Sequence, residues 1–449
     1  MSVALFTPRL NLSRSLLLSA AGISALVVGC ASSHAGSFSL REQDAVAQGS
    51  AFAGSAAGAG GVSSMYWNPA VLTQTPGWTV QRSFSGIFPK ANITTTGGLG
   101  AGAPFNLGSP GDVGQAALLP SGAMSYQLTD KIFLGLTTNT PFGLVTKTPF
   151  GAASQTYGTS SKIFSMNATP TVAYRFNDFI SVGAGLQVQY FKTTLKSATG
   201  LGFPAPAQNV TLKGNDTTVG YTVGVNLTPF QGTNIGIGYR SGHDNTLEGS
   251  FATPASVTRI KADANLPGIL SIGLTQDINT QWQVMAGFEW TNWSTFSRFP
   301  VTDAASGAPI IAGGRPLVLA FDYKDSYYFS AGAAYKYNPN WTFRGGLAYE
   351  ISPIDDVTRA TRLPDTDRFW LALGASYKLN DKLTFDASYS HAFGVGGRKI
   401  NILNATNPAF GAPVTYSGKV NASVDIISVG LRYNFGETVK KEMPIIRKG

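Results

Sequence analysis

The sequence predicts an all-β protein, a transmembrane antiparallel β-barrel of about 14 strands with an N-terminal segment folded inside its lumen. Three observations predict it. An export leader precedes the mature chain, a hydrophobic period of two runs from Trp78 to Phe435, and short turns alternate with longer loops throughout that stretch.

Composition sets the bounds. Of 449 residues, 52 are Gly, 11% are aromatic and only 13% are charged, with a mean hydropathy of +0.04. That is too polar for a bundle of membrane helices and too poor in charge for an ordinary soluble domain. A barrel gives this mixture, because lipid-facing apolar residues alternate with small or polar lumen residues. The net charge of +9 is scattered along the chain, which argues against a nucleic-acid surface and fits an anionic ligand or an anionic membrane surface.

Arg9 and Arg14 precede an apolar run from Leu16 to Gly29, and Ser33-His34-Ala35 has the small-x-small form of a signal peptidase site. Residues 1–35 are therefore read as a signal peptide. No later stretch reaches the ~18 uninterrupted apolar residues of a spanning helix. Cys30 is the only cysteine, so no disulfide forms within the chain. Val27-Val28-Gly29-Cys30 resembles a lipoprotein cleavage box, which would leave a lipid on Cys30; cleavage after Ala35 removes that residue altogether.

Residues 78–435 read as the barrel. In Ile180 to Tyr190, the set Ile180, Val182, Ala184, Leu186, Val188 and Tyr190 alternates with Ser181, Gly183, Gly185, Gln187 and Gln189, giving one lipid face and one lumen face. The pattern recurs around Trp282–Trp290, Trp341–Tyr349 and Phe369–Tyr377, with aromatics at the ends where interfacial girdles lie. Six short turns rich in Asn, Asp, Pro and Gly, among them Phe176-Asn177-Asp178 and Leu379-Asn380-Asp381-Lys382, interleave with seven longer loops. Thirteen connections join 14 strands, an even number with short periplasmic turns and longer external loops. The expected bounds include 78–90 for the first strand, 131–141 for the third, 280–300 and 317–337 for the ninth and tenth, 363–378 for the twelfth and 419–435 for the last. Residues 436–449 read as a basic periplasmic tail, and Gly98-Leu99-Gly100-Ala101-Gly102 reads as a loop.

A barrel this wide encloses more volume than its own side chains fill, so it carries water or a plug. Residues 36–77, rich in Gly, Ala and Ser and without helical or strand period, suit the second role. Phe38-Ser39-Leu40-Arg41-Glu42-Gln43, then Gly49-Ser50-Ala51-Phe52-Ala53-Gly54, then Asn68-Pro69-Ala70, resemble the N-terminal hatch of the FadL family of outer-membrane transporters for long-chain fatty acids and related hydrophobic compounds. The resemblance spans the mature chain: hatch, strands and aromatic last strand. It implies a passive, monomeric transporter with no cofactor, whose substrate moves from a groove in the external loops to a pocket touched by the hatch. The hatch residues singled out are Phe38, Leu40, Phe52, Asn68, Pro69 and Ala70. Exit is then sideways, through a gap where the third strand kinks inward. Here Gly135, Pro141, Phe142 and Gly143 are the candidates, since Pro141 cannot donate to a ladder and the glycines weaken pairing. The alternative is that Pro141 simply ends the strand.

Enzyme chemistry finds no support. His243 and His391 lack partners at metal-ligand spacing, and His391 has the lipid-face parity while Asp386, Ser388 and Ser390 face the lumen. Arg175, Arg240, Arg344, Arg368 and Arg432 have lumen parity, so one or two of them are candidates to bind a fatty-acid carboxylate; the alternative is that they pair with Glu289, Glu350 and Asp386 or cap hatch carbonyls. Apolar residues in the loops at 142–162 and 198–209 offer a capture groove, or pack over the mouth. Fatty acid or aromatic hydrocarbon remains open as the substrate, with a water-filled porin and a loop-borne adhesin or phage receptor as alternatives from other classes.

Overall fold

The computed structural model describes residues 37–100, 103–104, 108–199, 208–312, 315–406 and 413–438. The leader with Cys30, part of the loop at 198–209 and the basic tail beyond 438 lie outside the described residues. In a bilayer every backbone N–H and C=O must find a partner within the protein, and strands achieve this only by closing on themselves. The barrel strands are β1 (Trp78–Gly100), β2 (Ala117–Gln127), β3 (Ile132–Asn139, resuming at Gly143–Lys147), β4 (Ser160–Arg175), β5 (Ile180–Ala198), β6 (Asn209–Leu227), β7 (Thr233–Arg240 and His243–Ala252), β8 (Val257–Leu266 and Ile269–Asp277), β9 (Trp282–Thr291), β10 (Ser326–Lys336), β11 (Trp341–Ile351), β12 (Asp367–Lys378), β13 (Leu383–Val395) and β14 (Pro413–Gly436). Each is antiparallel to its neighbour in sequence. Closure comes from β1, which pairs with β2 on one side and with β14 on the other, from Trp78↔Gly436 to Leu99↔Thr415.

Alternation sets the two faces. On β11 the outward Phe343, Leu347 and Tyr349 are exposed, whereas the inward Ala348 and Glu350 are buried. Four of the short turns share one device. The Oδ1 atoms of Asn177, Asn279, Asn338 and Asn380 each accept from the backbone N–H groups two and three residues on, at 2.8–2.9 Å. At the same end Trp78 stacks on Phe435 at 4.1 Å and Trp341 meets Tyr377 at 4.8 Å, forming the periplasmic aromatic girdle.

Several boundaries differ from those expected. β1 runs ten residues past 90 and takes in Gly98-Leu99-Gly100, because β14 is long enough to pair with it; that segment is strand, not loop. β9 stops at Thr291 and β10 starts at Ser326. Between them the chain leaves the ladder so that Trp293, Phe296, Phe299 and Tyr323 can bury their rings together. β12 begins at Asp367, because Asp365 and Thr366 turn inward and are buried. β3 does not end at Pro141 but resumes beyond it. Gly135 is no kink: it is laddered to Ser125 on one side and Thr171 on the other.

Residues 37–77 fill the lumen as one short helix (Ala45–Gln48) and three 3₁₀ turns (Ser55–Ala57, Gly61–Tyr66 and Pro69–Gln74). Asp44 caps the helix by accepting from Ala47 N at 2.7 Å, and Asn68 caps the last turn by accepting from Ala70 N at 3.0 Å. Backbone meets backbone where hatch crosses wall. A Cβ on Gly183 would lie 2.5 Å from the Pro69 carbonyl carbon, and one on Gly346 would fall on the Ser50 peptide. Gly135 serves the same end, since a Cβ there would sit 2.5 Å from Met65 Sδ.

Gly346→Val should therefore unseat the hatch at a cost of about 1–3 kcal/mol while leaving the barrel ladder intact. Planar-bilayer conductance should rise above the wild-type leak, and a closed, protease-resistant lumen in this variant would contradict the packing described.

Candidate functional site

Thr140, Pro141 and Phe142 step out of the β3 ladder, and β2 is paired with β3 only from Gly122 to Gln127. The upper part of β2, Ala117–Ser121, pairs with β1 alone. Above the gap the wall is rejoined by the bridge Gly114↔Thr146 and by Lys147 N donating to Val113 O at 3.1 Å. A break in a membrane wall frees backbone groups that must be satisfied. The first residues of the hatch satisfy them. Leu40 N donates to Pro141 O at 2.8 Å and Gly143 N to Phe38 O at 2.9 Å, so Ser39 pairs with Phe142 as a short strand. The Gln43 side chain donates to Thr140 O at 2.8 Å and accepts from Thr140 N at 3.3 Å and Asn139 Nδ2 at 3.1 Å. Phe142 N donates to Ser165 Oγ at 2.8 Å on the β4 side.

A buried ionic knot holds this strap. Arg41 donates to Glu289 on β9 at 2.6 Å and to Glu350 on β11 at 3.0 Å, and its guanidinium lies 3.8 Å from the centre of the Tyr328 ring. Glu350 also accepts from Trp370 Nε1 at 3.1 Å and faces Arg368 at 3.5 Å; Arg368 in turn pairs with Asp365. Asp365 accepts from Ser37 N at 2.8 Å, which closes the circuit back to the hatch. Beside it Glu42 is fully buried, and neither of its carboxyl oxygens has a partner among the described residues.

Over the strap lies an apolar chamber with about 770 Å³ of empty space, part of it open to solvent. Phe191, Leu212 and Leu247 line it from the strands, Phe299 and Phe321 from the β9–β10 excursion, and Phe38 forms its floor. Phe38 is held edge-on by Trp293 at 4.7 Å and Phe296 at 5.1 Å, and touches Phe142 of the break at 5.9 Å. Lys213 and Asp263 border it from the strands, and Arg362 reaches it from the β11–β12 loop. Arg362 Nη1 donates to Ser160 O and Ser161 Oγ, both at 3.1 Å, and no carboxylate pairs with it among the described residues. Enclosure in apolar surroundings pulls its pKa down to about 10, so it stays charged near neutrality but poorly solvated.

The five arginines with lumen parity lie elsewhere. Arg175 donates to the Thr73 carbonyl and packs on Phe133, Arg240 donates to Tyr66 O at 3.2 Å and to Gln187, and Arg344 donates to Ser376 Oγ at 2.6 Å. Arg368 belongs to the ionic knot, and Arg432 lies beside Gly61 of the hatch. None of them lines the chamber. Of the hatch residues, Phe38 and Leu40 meet the break. Phe52 packs against Trp67 and Trp370, and Asn68 ties its turn to Ala56 O and Val225 O at 2.8 and 2.9 Å, so Phe52 and the Asn68-Pro69-Ala70 turn anchor the body of the hatch rather than the strap. His391 lies on the outer wall, where its Nδ1 meets Asp425 at 2.7 Å, while Ser388 and Ser390 are buried on the inner face. Arg362 escaped the sequence reading because it sits in a loop without period; the only signal was a basic residue next to buried apolar Leu363.

A family model described as outer membrane protein transport protein (OMPP1/FadL/TodX) matches residues 26–435. The chain belongs to this family. It is an outer-membrane transporter of hydrophobic compounds. A long-chain fatty acid transport protein of Salmonella typhi is 25% identical over 392 residues, covering 80% of this chain and 87% of its own length. Outer membrane protein P1 of Haemophilus influenzae is 23% identical, covering 92% and 98%. Among solved structures, a FadL homologue of Pseudomonas aeruginosa superposes with a TM-score of 0.79 at 20% identity, over 89% of this chain and 100% of that one. The toluene transporter TbuX of Ralstonia pickettii gives 0.62 at 19%, over 87% and 98%. At these identities the two structures share the fold with this chain.

Removing Arg41 leaves Glu289 buried without its counter-ion and Glu350 with Arg368 alone, a loss of about 3–5 kcal/mol when one partner of a buried pair is deleted. In Arg41→Ala, amide exchange should therefore quicken across residues 37–43 while the β-ladders stay protected. Unchanged exchange in the strap would show that the knot does not hold it.

Proposed function

We propose that this transporter carries a long-chain carboxylic acid, that Arg362 receives its carboxylate at the chamber, and that the substrate leaves sideways through the β3 break once residues 37–43 let go. The observation that carries the substrate class is Arg362: a half-buried guanidinium bordering an apolar chamber, with no acidic partner among the described residues. A hydrocarbon has no use for such a group. An alkyl carboxylate supplies both the charge that a desolvated guanidinium lacks and the chain that fills the chamber. What supports the route is the strap itself, whose Phe38 is at once the chamber floor and a backbone partner of the break. The names of the relatives, fatty acid transport proteins, agree with this class.

A second reading, an aromatic hydrocarbon, draws on the ring cluster of Phe296, Phe299, Phe321 and Tyr323 at the chamber wall. One variant separates the two. Arg362→Ala should weaken oleate binding by about ten- to a hundredfold, the worth of a charge-assisted hydrogen bond, and leave toluene uptake unchanged; equal oleate affinity would remove the carboxylate reading. The route has its own test. Ser39 and Phe142 form the non-hydrogen-bonded type of antiparallel pair, whose Cα atoms lie at disulfide distance. The double cysteine variant should lose uptake when oxidised and regain it on reduction, and full uptake in the oxidised form would exclude movement of the strap.

A further inference from the structure

The outer wall of β3–β6 carries a charge pattern that the transport reading does not use. The register places Lys147, Ser160 and Lys196 in one cross-strand row, Lys162, Thr194 and Lys213 in the row below, and Phe164, Lys192 and Asn215 in the row below that. Lys147, Lys162, Lys192 and Lys213 are exposed and Lys196 is half-buried. Rows on one face of a sheet are about 7 Å apart and strands about 5 Å, so the five ammonium groups share one compact patch. None of the five enters an ion pair among the described residues, although other surface lysines do, such as Lys261 with Glu248 at 2.9 Å and Lys324 with Asp355 at 2.7 Å.

Height on the barrel says what such a patch meets. At its lower edge Phe164, in the row of Lys192, and Tyr190, in the row beneath, bring their rings to 6.5 Å, and from that row downward Met166, Leu186, Val188 and Val219 face outward and exposed. An aromatic girdle above an apolar band marks the outer interface of the membrane, and lysines level with it and in the rows above stand at the level of lipid head groups. On the far side of the barrel the girdle is dressed in the opposite sign. Asp325 accepts from Trp290 Nε1 at 2.9 Å, Asp367 from Tyr349 at 3.5 Å, and Asp425 from Tyr389 at 2.7 Å. The rim is thus mixed in sign, and the β3–β6 patch is its five-lysine stretch, with Lys399 and Lys419 facing each other in the ladder on β14's side.

We propose that the outward face of β3–β6 is a binding site for a phosphate-bearing lipid of the outer leaflet, with Lys162, Lys192 and Lys213 on its phosphates and Phe164 and Tyr190 against the start of its acyl chains. Unpaired ammonium groups at head-group level attract anionic lipid, and their stems lie along apolar wall while the charge stays at the interface. The site lies on the outer surface of strands whose inner faces supply Phe191 and Leu212 to the chamber, so a lipid held there braces the chamber wall from outside.

The test uses the full-length protein, delipidated in detergent and offered two glycolipids with the same acyl chains, one bisphosphorylated and one dephosphorylated. Retention is read by native mass spectrometry at physiological ionic strength. Wild type should keep the phosphorylated lipid at least about tenfold better, and Lys162→Gln/Lys192→Gln/Lys213→Gln should lose that preference, as expected for removal of three interfacial charges. Lys131→Gln/Lys336→Gln/Lys382→Gln, at the periplasmic end, should keep it. Should the first triple variant fail to fold, Lys192→Gln alone should show a smaller loss in the same direction. Equal retention of the two lipids, undiminished retention in the folded patch variants, or complete displacement by inorganic phosphate would each overturn the proposal.

Discussion

The constraint behind this architecture is that no backbone polar group can be left unpaired in hydrocarbon. It forces β1 to meet β14 and so closes the sheet, and with 14 strands the closed sheet encloses more space than its own side chains occupy. The hatch follows from that surplus volume, and the glycines on the inner wall follow from the hatch. The same constraint governs the interruption of the ladder within β3. At Thr140–Phe142 the wall loses its β2 side while Phe142 still meets Ser165 of β4, and the chain's first described residues supply further partners. A structural weakness in the wall and its remedy in the hatch thereby share one set of hydrogen bonds.

Barrel, hatch and turn sides were legible in the sequence because each leaves a short-range mark. Alternation exposes the two faces of β5 and β11, and the Asn residues of the turns sit where their side chains close the chain on itself. Strand ends were less legible where pairing partners are distant. β1 continues past 90 only because β14 reaches as high, and β3 resumes after Pro141 as a five-residue piece whose neighbours include the hatch. Gly135 misled for a related reason. A glycine in a strand reads as weak pairing, but here pairing is complete and the missing Cβ makes room for Met65 and Leu72.

The site divides the same way. Lumen parity was enough to find Arg175, Arg240 and Arg368, yet parity says nothing of what occupies the lumen, and in this protein it is the hatch and a set of carboxylates that meet them. Arg362 has no periodicity to betray it, since its position depends on how the β11–β12 loop lies against β4. The chamber needs two separate loops, the upper strands and the strap to exist at all. Phe38 was singled out for its place in a motif, and its importance comes from touching both the chamber and the break.

The backbone-to-backbone contacts at Gly183 and Gly346 carry a mechanical consequence. Side chains that interlock must be drawn out of their sockets before two surfaces can part, and each extraction adds resistance. Smooth glycine facets offer little to extract, so at these crossings the hatch is seated by fit, while side chains such as Asn68, Arg175 and Arg240 and the ionic knot at Arg41 fasten it elsewhere. Friction is thus low at the glycine crossings and concentrated at these few polar ties. A plug built this way resists rattling, like a lid resting on a smooth bearing surface and fastened by a few latches.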